Sequence, residues 1–190
     1  MTSRITVFGQ SELYAECLAH GPPTTHLISI RDPGRPLPSA LRFYDPQNVL
    51  VLEFYDIEAN LSQDDDNELS LNRHLCTQDT ADKILEFYGR TKGHPGEATY
   101  AVHCWAGISR STATALALLY LELGDEIQAA TELVDNRPIA APLRRLVKFF
   151  DNRLGTNLSH WAQRIHDIAI ANMRDDLVNY ETGEKLEELT

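Results

Sequence analysis

The chain has 190 residues, of which 43% are hydrophobic and 24% are charged, a composition typical of one soluble globular domain. Its formal net charge is −11 at pH 7, which disfavours general binding to nucleic acid or to an anionic membrane, because both need clustered Lys and Arg. Any anionic substrate must therefore be bound by a local positive site that acts against the field of the whole molecule.

Cysteine usage and hydropathy argue against disulfide-rich, zinc-binding, secreted and membrane-spanning proteins. Cys17, Cys76 and Cys104 are widely spaced and form no CxxC pair, so neither a disulfide framework nor a zinc site is indicated, and a reducing cytoplasm is favoured. The N-terminus has no apolar stretch of signal-peptide length, and no segment is long enough to span a bilayer. The histidines show no metal-ligand spacing, and no metal or other cofactor is implied.

Strands and helices alternate in the first half of the chain. Apolar, β-branched runs predict strands over residues 4–9, 25–30 and 48–55. A helix is predicted over residues 11–20, with Ser11 as its N-cap and Gly21 as its end. Asp32, Pro33 and Gly34 are typical of a turn. The polar stretch over residues 56–78 exceeds an ordinary connection, so we interpret it as a functional lid or insertion.

The second half continues this alternation. One strand is predicted over residues 98–104, and helices are predicted over residues 79–91, 111–123, 126–135, 142–154 and 158–180. Residues 1–180 are expected to form a single domain, and residues 181–190 an acidic, flexible tail. This order of elements predicts an α/β fold with a mostly parallel central sheet and helices on both of its faces.

The segment that carries chemistry is ATYAVHCWAGISRSTA, residues 98–113. Its predicted strand delivers Cys104 into a tight loop, and a helix begins near Arg110. Backbone N–H groups in such a loop form a nest for an anion, and the helix dipole adds to the same field. We expect Cys104 to be held there as a thiolate, and the planar guanidinium of Arg110 to return to the phosphate that it attacks. Gly107 would let the backbone approach the anion closely.

The full motif is a more specific signal of function than the spacing of Cys104 and Arg110 alone. A cysteine followed by an arginine six residues later is a weak signal, because such a pair often arises by chance. The combination with His103, Gly107 and a hydroxyl residue after Arg110 is rare, and the flanking strand and helix are the context that it needs. The alternative interpretation makes Cys104 an inert buried cysteine at a strand end.

HCWAGISRS resembles the signature loop of the protein tyrosine phosphatases, in particular the small dual-specificity type and its bacterial relatives. The resemblance is tight over residues 100–118 and looser over residues 48–154. It implies a protein tyrosine phosphatase-like fold in which Cys104 is the nucleophile and Arg110 binds the phosphate. It also implies that Ser111 hydrogen-bonds the departing thiolate and that His103 tunes the cysteine. The substrate-binding residues it implies are those of the loop: Trp105, Ala106, Gly107, Ile108, Ser109 and Arg110.

The expected reaction needs a proton donor, because it expels an alkoxide or phenoxide. The resemblance implies an Asp on a loop beside the signature loop. Asp56 follows the strand predicted at residues 48–55, so it would emerge at the same sheet edge as Cys104, and we prefer it. The polar insertion leaves four rivals: Asp64, Asp65, Asp66 and Asp79. Relatives often carry Asn where this chain has Leu143. Which residue takes the part of that Asn in the hydrolytic step is therefore left open.

Two further features are left open by the sequence. Trp105 is either a wall of the substrate pocket or a core residue behind the loop. Arg144, Arg145 and Lys148 share one side of a predicted helix. They form either a solvated face or a rim that draws acidic phosphoproteins to the site.

The sequence therefore predicts a cytoplasmic phosphomonoester hydrolase that acts through a cysteinyl-phosphate. Phosphotyrosine is the preferred substrate, with dual specificity as a variant. The alternatives are the same chemistry on a small phosphorylated metabolite, and a phosphate-binding module with little turnover. Sulfur transfer and arsenate reduction are disfavoured because no partner cysteine is well placed. The expected partner is a phosphorylated protein or small phosphoester, with neither nucleic acid nor membrane, and the oligomeric state is left open.

Overall fold

A four-stranded parallel sheet forms the centre of the structure, a computed structural model that describes residues 4–58, 74–93 and 98–182. The strands are β1 (Ile5–Gly9), β2 (His26–Arg31), β3 (Val49–Glu53) and β4 (Tyr100–Cys104). They lie in the order β1-β4-β2-β3, and all three neighbouring pairs are parallel. The four predicted strands are confirmed, with ends that differ by one or two residues.

Six α-helices surround the sheet within the described ranges. They are α1 (Gln10–His20), α2 (Gln78–Thr91), α3 (Arg110–Leu123), α4 (Glu126–Asn136), α5 (Arg144–Leu154) and α6 (Leu158–Thr182). Two short 3-10 helices, Ser39–Phe43 and Pro46–Asn48, lie between β2 and β3 and were not predicted, since neither has a helical period. Among the described helices, none has the length and apolarity that a bilayer span requires.

The sheet separates two apolar cores. Side chains alternate along a strand, so neighbouring residues enter different cores. Leu27 of β2 packs with Leu13 of α1 in the smaller core. The next residue, Ile28, belongs to the larger core, which includes Leu116 of α3 and residues of α2, α4, α5 and α6. Helices therefore cover both faces, and the predicted α/β class is confirmed.

The junction between β1 and α1 is tighter than predicted. Gly9 is both the last residue of β1 and the N-cap of α1, so the prediction of Ser11 as N-cap is wrong. The Glu12 carboxylate accepts the backbone N–H of Gly9 at 2.7 Å, which satisfies a donor that the helix itself leaves free. The helix ends before Gly21, as predicted. The start of α1 consequently lies at the carboxyl edge of the sheet.

The two ends of the polar stretch after β3 lie next to each other. The backbone N–H of Tyr55 donates to the carbonyl of His74 at 2.8 Å, and the two rings meet edge to face with centroids 6.0 Å apart. We call this pair of contacts the neck. Residues 59–73, with most of the proposed lid, lie outside the described residues, as does the acidic segment 183–190.

Helix α3 is the most deeply buried helix of the described structure. Its first ten residues, 110–119, are all buried, and small Ala and Thr side chains let neighbouring elements approach it closely. Five residues separate it from the end of β4. A rigid strand and a rigid helix therefore fix both ends of the loop at residues 105–109.

We expect Leu116→Ala to destabilise the protein by about 2–5 kcal/mol, because Leu116 is fully buried in the larger core and its truncation leaves a cavity. Urea unfolding measures the change. Leu123→Ala, on the same helix but with Leu123 43% exposed, should change stability by no more than about 0.5 kcal/mol. Equal losses in the two variants would contradict this assignment of the core.

Candidate active site

The carboxyl ends of the four parallel strands meet at one edge of the sheet, where open α/β sheets place their ligand sites. β1 ends at Gly9, opposite Cys104, the last residue of β4. β2 and β3 also end side by side, and Asp32 and Asp56 follow them within three residues. One edge thus gathers a thiol, two carboxylates and the start of α3.

Cys104 and Ser111 are brought together at this edge. The Sγ atom of Cys104 lies 3.1 Å from the Oγ atom of Ser111, in the first turn of α3. Cys104 is only 2% exposed. A hydroxyl at this distance can donate a hydrogen bond to a thiolate and so stabilise it. The geometry suits a cysteine that gains and loses a bond to an incoming group.

The guanidinium of Arg110 is held on one side and has an unused donor on the other. Its Nη1 atom donates to the Oδ1 atom of Asp32 at 2.6 Å and to the carbonyl of Phe54 at 2.8 Å. Its Nε atom is buried and has no hydrogen-bond partner among the described residues, although the Oδ2 atom of Asp56 lies 3.7 Å away. Buried donors are rarely left unpaired, so this Nε–H suits an incoming anion.

Asp32 is a site residue that the sequence analysis missed. It was interpreted only as part of a turn, and that turn does form, since the N–H of Arg35 donates to the Asp32 carbonyl at 3.2 Å. Its carboxylate, however, pairs with Arg110. The signal was available, because Asp32 follows β2 and the argument from strand ends that selected Asp56 applies to it equally.

Asp56 lies against the signature loop, residues 105–109. Its Oδ1 atom accepts a hydrogen bond from the Oγ atom of Ser109 at 2.6 Å, and its side chain is 38% exposed. Of its four rivals, Asp79 pairs with Lys83 at 2.6 Å on α2, and the other three, at residues 64–66, lie outside the described residues. Of the candidates that are described, Asp56 is the one in contact with the loop.

Each carbonyl of the signature loop accepts a hydrogen bond from another part of the chain. In loop order, the donors are the N–H of Gln10, the Nη2 and Nε atoms of Arg137, and the N–H groups of Ala141 and Leu143, at 2.8–3.3 Å. Within the described structure, no hydrogen bond is found from the N–H groups of residues 105–109. Turning the carbonyls outward leaves those N–H groups available to a tetrahedral oxyanion.

Gly107 is required by what lies behind the loop. It has φ +72°, and a Cβ atom there would come within 2.6 Å of the N atom of Gly9 and 2.7 Å of the Nη2 atom of Arg137. Both distances are shorter than real contacts, and the conformation itself disfavours other residues. The close approach that needs glycine is therefore to β1 and Arg137, in addition to the approach to an anion that was expected.

His103 lies on β4 directly before Cys104 and is fully buried. Neither ring nitrogen has a hydrogen-bond partner among the described residues, and the same holds for the hydroxyl of Ser29, its neighbour on β2. Burial lowers the pKa of His103 from 6.5 to about 4, because an apolar environment disfavours the charged ring. His103 is consequently neutral at physiological pH.

Trp105 is exposed to solvent. It is 69% exposed, so the interpretation as a core residue behind the loop is wrong. With Tyr14 and Ser39 it lines a cavity of about 330 Å³ beside α1. A large aromatic side chain next to Cys104 offers apolar contact area to a bound group.

Basic residues of α5 line a cavity and contact the segment that follows β3. Arg144, Arg145 and Lys148 line a cavity of about 730 Å³ together with Glu58. The Glu58 carboxylate accepts the N–H groups of Arg144 and Arg145 at 2.7 and 3.2 Å, where the helix dipole favours a negative charge. Since Glu58 lies two residues beyond Asp56, this contact ties the segment after β3 to the start of α5.

Solved structures with a similar fold include tyrosine and dual-specificity phosphatases, although no protein-family model and no curated protein sequence matches the chain at a significant level. The human tyrosine phosphatase-like serine/threonine/tyrosine-interacting protein is 19% identical, with a TM-score of 0.56 over 80% of this chain and 91% of that one. Cydia pomonella PTP-2 phosphatase is 17% identical, with 0.54 over 78% and 84%. Human DUSP28 is 19% identical, with 0.52 over 82% and 93%. At these identities the likeness shows a common fold.

We expect His103 to make stability depend on pH. Its folded pKa is below its unfolded value, so its contribution is complete above about pH 6.5 and is lost as the pH falls toward about 4. Between pH 7.5 and 5.0 this loss should reach about 2 kcal/mol. His103→Gln should remove that part of the pH dependence in urea unfolding, whereas His160→Gln, at an exposed position, should not. Equal pH dependence in all three proteins would contradict the assignment.

Proposed function

We propose that this chain, which has the fold of the protein tyrosine phosphatases, hydrolyses phosphomonoesters through a cysteinyl-phosphate on Cys104. The arrangement of three groups at one sheet edge carries the proposal. The Sγ atom of Cys104 lies 3.1 Å from a hydroxyl, at the start of a loop whose carbonyls are all bonded on the far side. The buried Nε–H of Arg110 is unpartnered at the same edge among the described residues. A nucleophile, an oxyanion nest and a guanidinium together suit phosphoryl transfer.

In the first step the Cys104 thiolate attacks phosphorus, and the bond from phosphorus to the leaving-group oxygen breaks. The loop N–H groups and Arg110 bind the non-bridging oxygens, whose charge is stabilised by donors already in place. Asp56 donates a proton to the leaving oxygen. Asp32 is less suited to that task, because its Oδ1 atom already accepts a hydrogen bond from Arg110 at 2.6 Å and orients the guanidinium.

In the second step a water molecule attacks the cysteinyl-phosphate, and the bond from phosphorus to Sγ breaks. The hydroxyl of Ser111 donates to the departing thiolate, and the Asp56 carboxylate takes the proton of the water. Leu143 is fully buried and its side chain has no polar atom, so it cannot orient the water as an Asn could. Among the described residues, Asp56 is then the group that we assign to activating the water.

We favour phosphorylated proteins as substrates, with phosphotyrosine preferred. The exposed indole of Trp105 next to Cys104 offers an apolar surface to an aryl ring. The loop has no cation besides Arg110, which disfavours a highly charged inositol phosphate. The free state of all three cysteines supports a reducing, cytoplasmic location.

A phosphate-binding module with little turnover is the second candidate. One structural neighbour is a tyrosine phosphatase-like interacting protein, a name that describes a binding role. The presence of both Cys104 and Arg110 favours turnover over binding alone. A small phosphorylated metabolite as substrate would leave the chemistry unchanged.

Cys104→Ser should abolish hydrolysis of p-nitrophenyl phosphate and leave phosphate binding intact, because a serine hydroxyl is a far weaker nucleophile than a cysteine sulfur. A colorimetric assay measures turnover, and calorimetry measures binding. Cys17→Ser is the matched control, since Cys17 is also buried but packs in the smaller core. Ready turnover by Cys104→Ser would refute the proposed nucleophile, and phosphate binding without turnover in the wild type would favour the binding module.

Asp56→Asn should slow hydrolysis of phosphotyrosine by about a hundredfold or more, since the phenoxide then departs without a proton. It should hardly affect a dinitrophenyl phosphate, whose leaving group is a stable anion. Asp32→Asn is the control: by releasing Arg110 it should weaken turnover of both substrates alike.

The pattern of losses decides the role of Asp56. Equal loss on both substrates in Asp56→Asn would mean that its contact with Ser109 holds the loop and that it donates no proton. Loss on neither would move the proton donor to Asp64, Asp65 or Asp66.

A further inference from the structure

We propose that Arg137 and Glu12, which lie outside the signature loop, are positioning residues that give the loop its oxyanion-binding shape. The proposal deepens the proposed function and rests on it for the identity of the anion as a phosphate. Neither residue was selected from the sequence. They are 125 residues apart and belong to no motif that spacing reveals.

The planar guanidinium of Arg137 spans two consecutive peptide groups of the loop. Its Nε atom donates to the carbonyl of Gly107 at 3.0 Å, and its Nη2 atom donates to the carbonyl of Ala106 at 3.0 Å. A fork of fixed geometry sets the direction of both carbonyls at once. A lysine keeps the charge but offers no such fork.

Glu12 fixes Arg137 in turn. Its Oε2 atom lies 3.0 Å from Nη1 of Arg137, and its Oε1 atom accepts from Nη2 at 3.2 Å. The same carboxylate accepts the N–H of Gly9 at the end of β1. One side chain therefore connects the sheet edge, the start of α1 and the back of the loop.

The two carbonyls held by Arg137 face away from the oxyanion nest. A carbonyl that rotated toward the nest would oppose a bound anion and would remove an N–H donor from it. Gly107 has the positive φ that permits such rotation, so something outside the loop must select the outward orientation. Arg137 contacts the carbonyls of Ala106 and Gly107 and selects their outward orientation.

The exposure of the pair argues against a role in stability alone. The Glu12 side chain is 49% exposed, and an ion pair with one partner this open to water contributes less to folding than a fully buried pair. Their specific effect is the direction of two peptide groups beside Cys104.

The experiment measures binding of inorganic phosphate by calorimetry, at a temperature where thermal melting curves show each variant to be folded. Arg137→Lys should weaken phosphate binding by about tenfold or more, because small displacements of positioned groups are costly. Glu12→Gln should cause a smaller loss in the same direction, since it can still accept hydrogen bonds. Arg153→Lys is the matched control. Arg153 makes a similar two-point contact with Asp82, at 2.8 and 2.6 Å on the surface, and its loss should leave affinity unchanged.

A folded Arg137→Lys protein with wild-type phosphate affinity would overturn the proposal, even if its melting temperature fell. So would an equal loss of affinity in Arg153→Lys, or a wild-type protein that binds no phosphate. Failure of the proposed function is distinguishable, because a protein that binds phosphate through this loop and turns over no ester would still show the Arg137 effect.

Discussion

The outward orientation of the carbonyls of residues 105–109 is the constraint on which the candidate site depends. Five residues must turn the chain from β4 into α3 while presenting their N–H groups to one point, and nothing within those residues enforces this. The donors that enforce it come from the start of α1, from Arg137 and from the segment before α5. The packing of three separate elements around the loop thus decides whether an anion can bind there.

Short-range electrostatics explain how a site on an acidic molecule can attract an anion. A chain of net charge −11 repels anions at long range, yet backbone N–H groups and the N-terminus of α3 act over a few ångströms and are fixed in direction. Arg110 is buried, and Asp32 and Asp56 lie beside it, so its charge is compensated while the site is empty. An arriving phosphate can accept from the Nε–H of Arg110, which has no hydrogen-bond partner among the described residues, while Asp32 continues to hold Nη1.

The sequence predicted the elements well where the signal is local. Apolar runs identified all four strands, and the strand–loop–helix setting of Cys104 followed from one motif. The position of Asp56 beside the loop was predicted by reasoning about strand ends, because that rule converts sequence order into position. Glu12 and Arg137 were missed because their contact joins residues 125 positions apart, and no pattern of spacing predicts it. Asp32 lies 78 positions from Arg110 but directly follows β2, so the rule about strand ends could have identified it. The error at Ser11 arose because Gly9 ends a strand and caps a helix at once, so no turn separates the two.

The neck formed by Tyr55 and His74 has a consequence for how the protein can vary. Its backbone hydrogen bond and the contact of Glu58 with α5 fix the chain on both sides of residues 59–73. The entropic cost of closing a loop rises by only about 0.6 kcal/mol for each doubling of its length. The chain between these two fixed points can therefore be lengthened, shortened or exchanged at small cost to the sheet and the loop. Variation there need not move Cys104, Arg110 or Asp56, which lie at the sheet edge and at the start of α3.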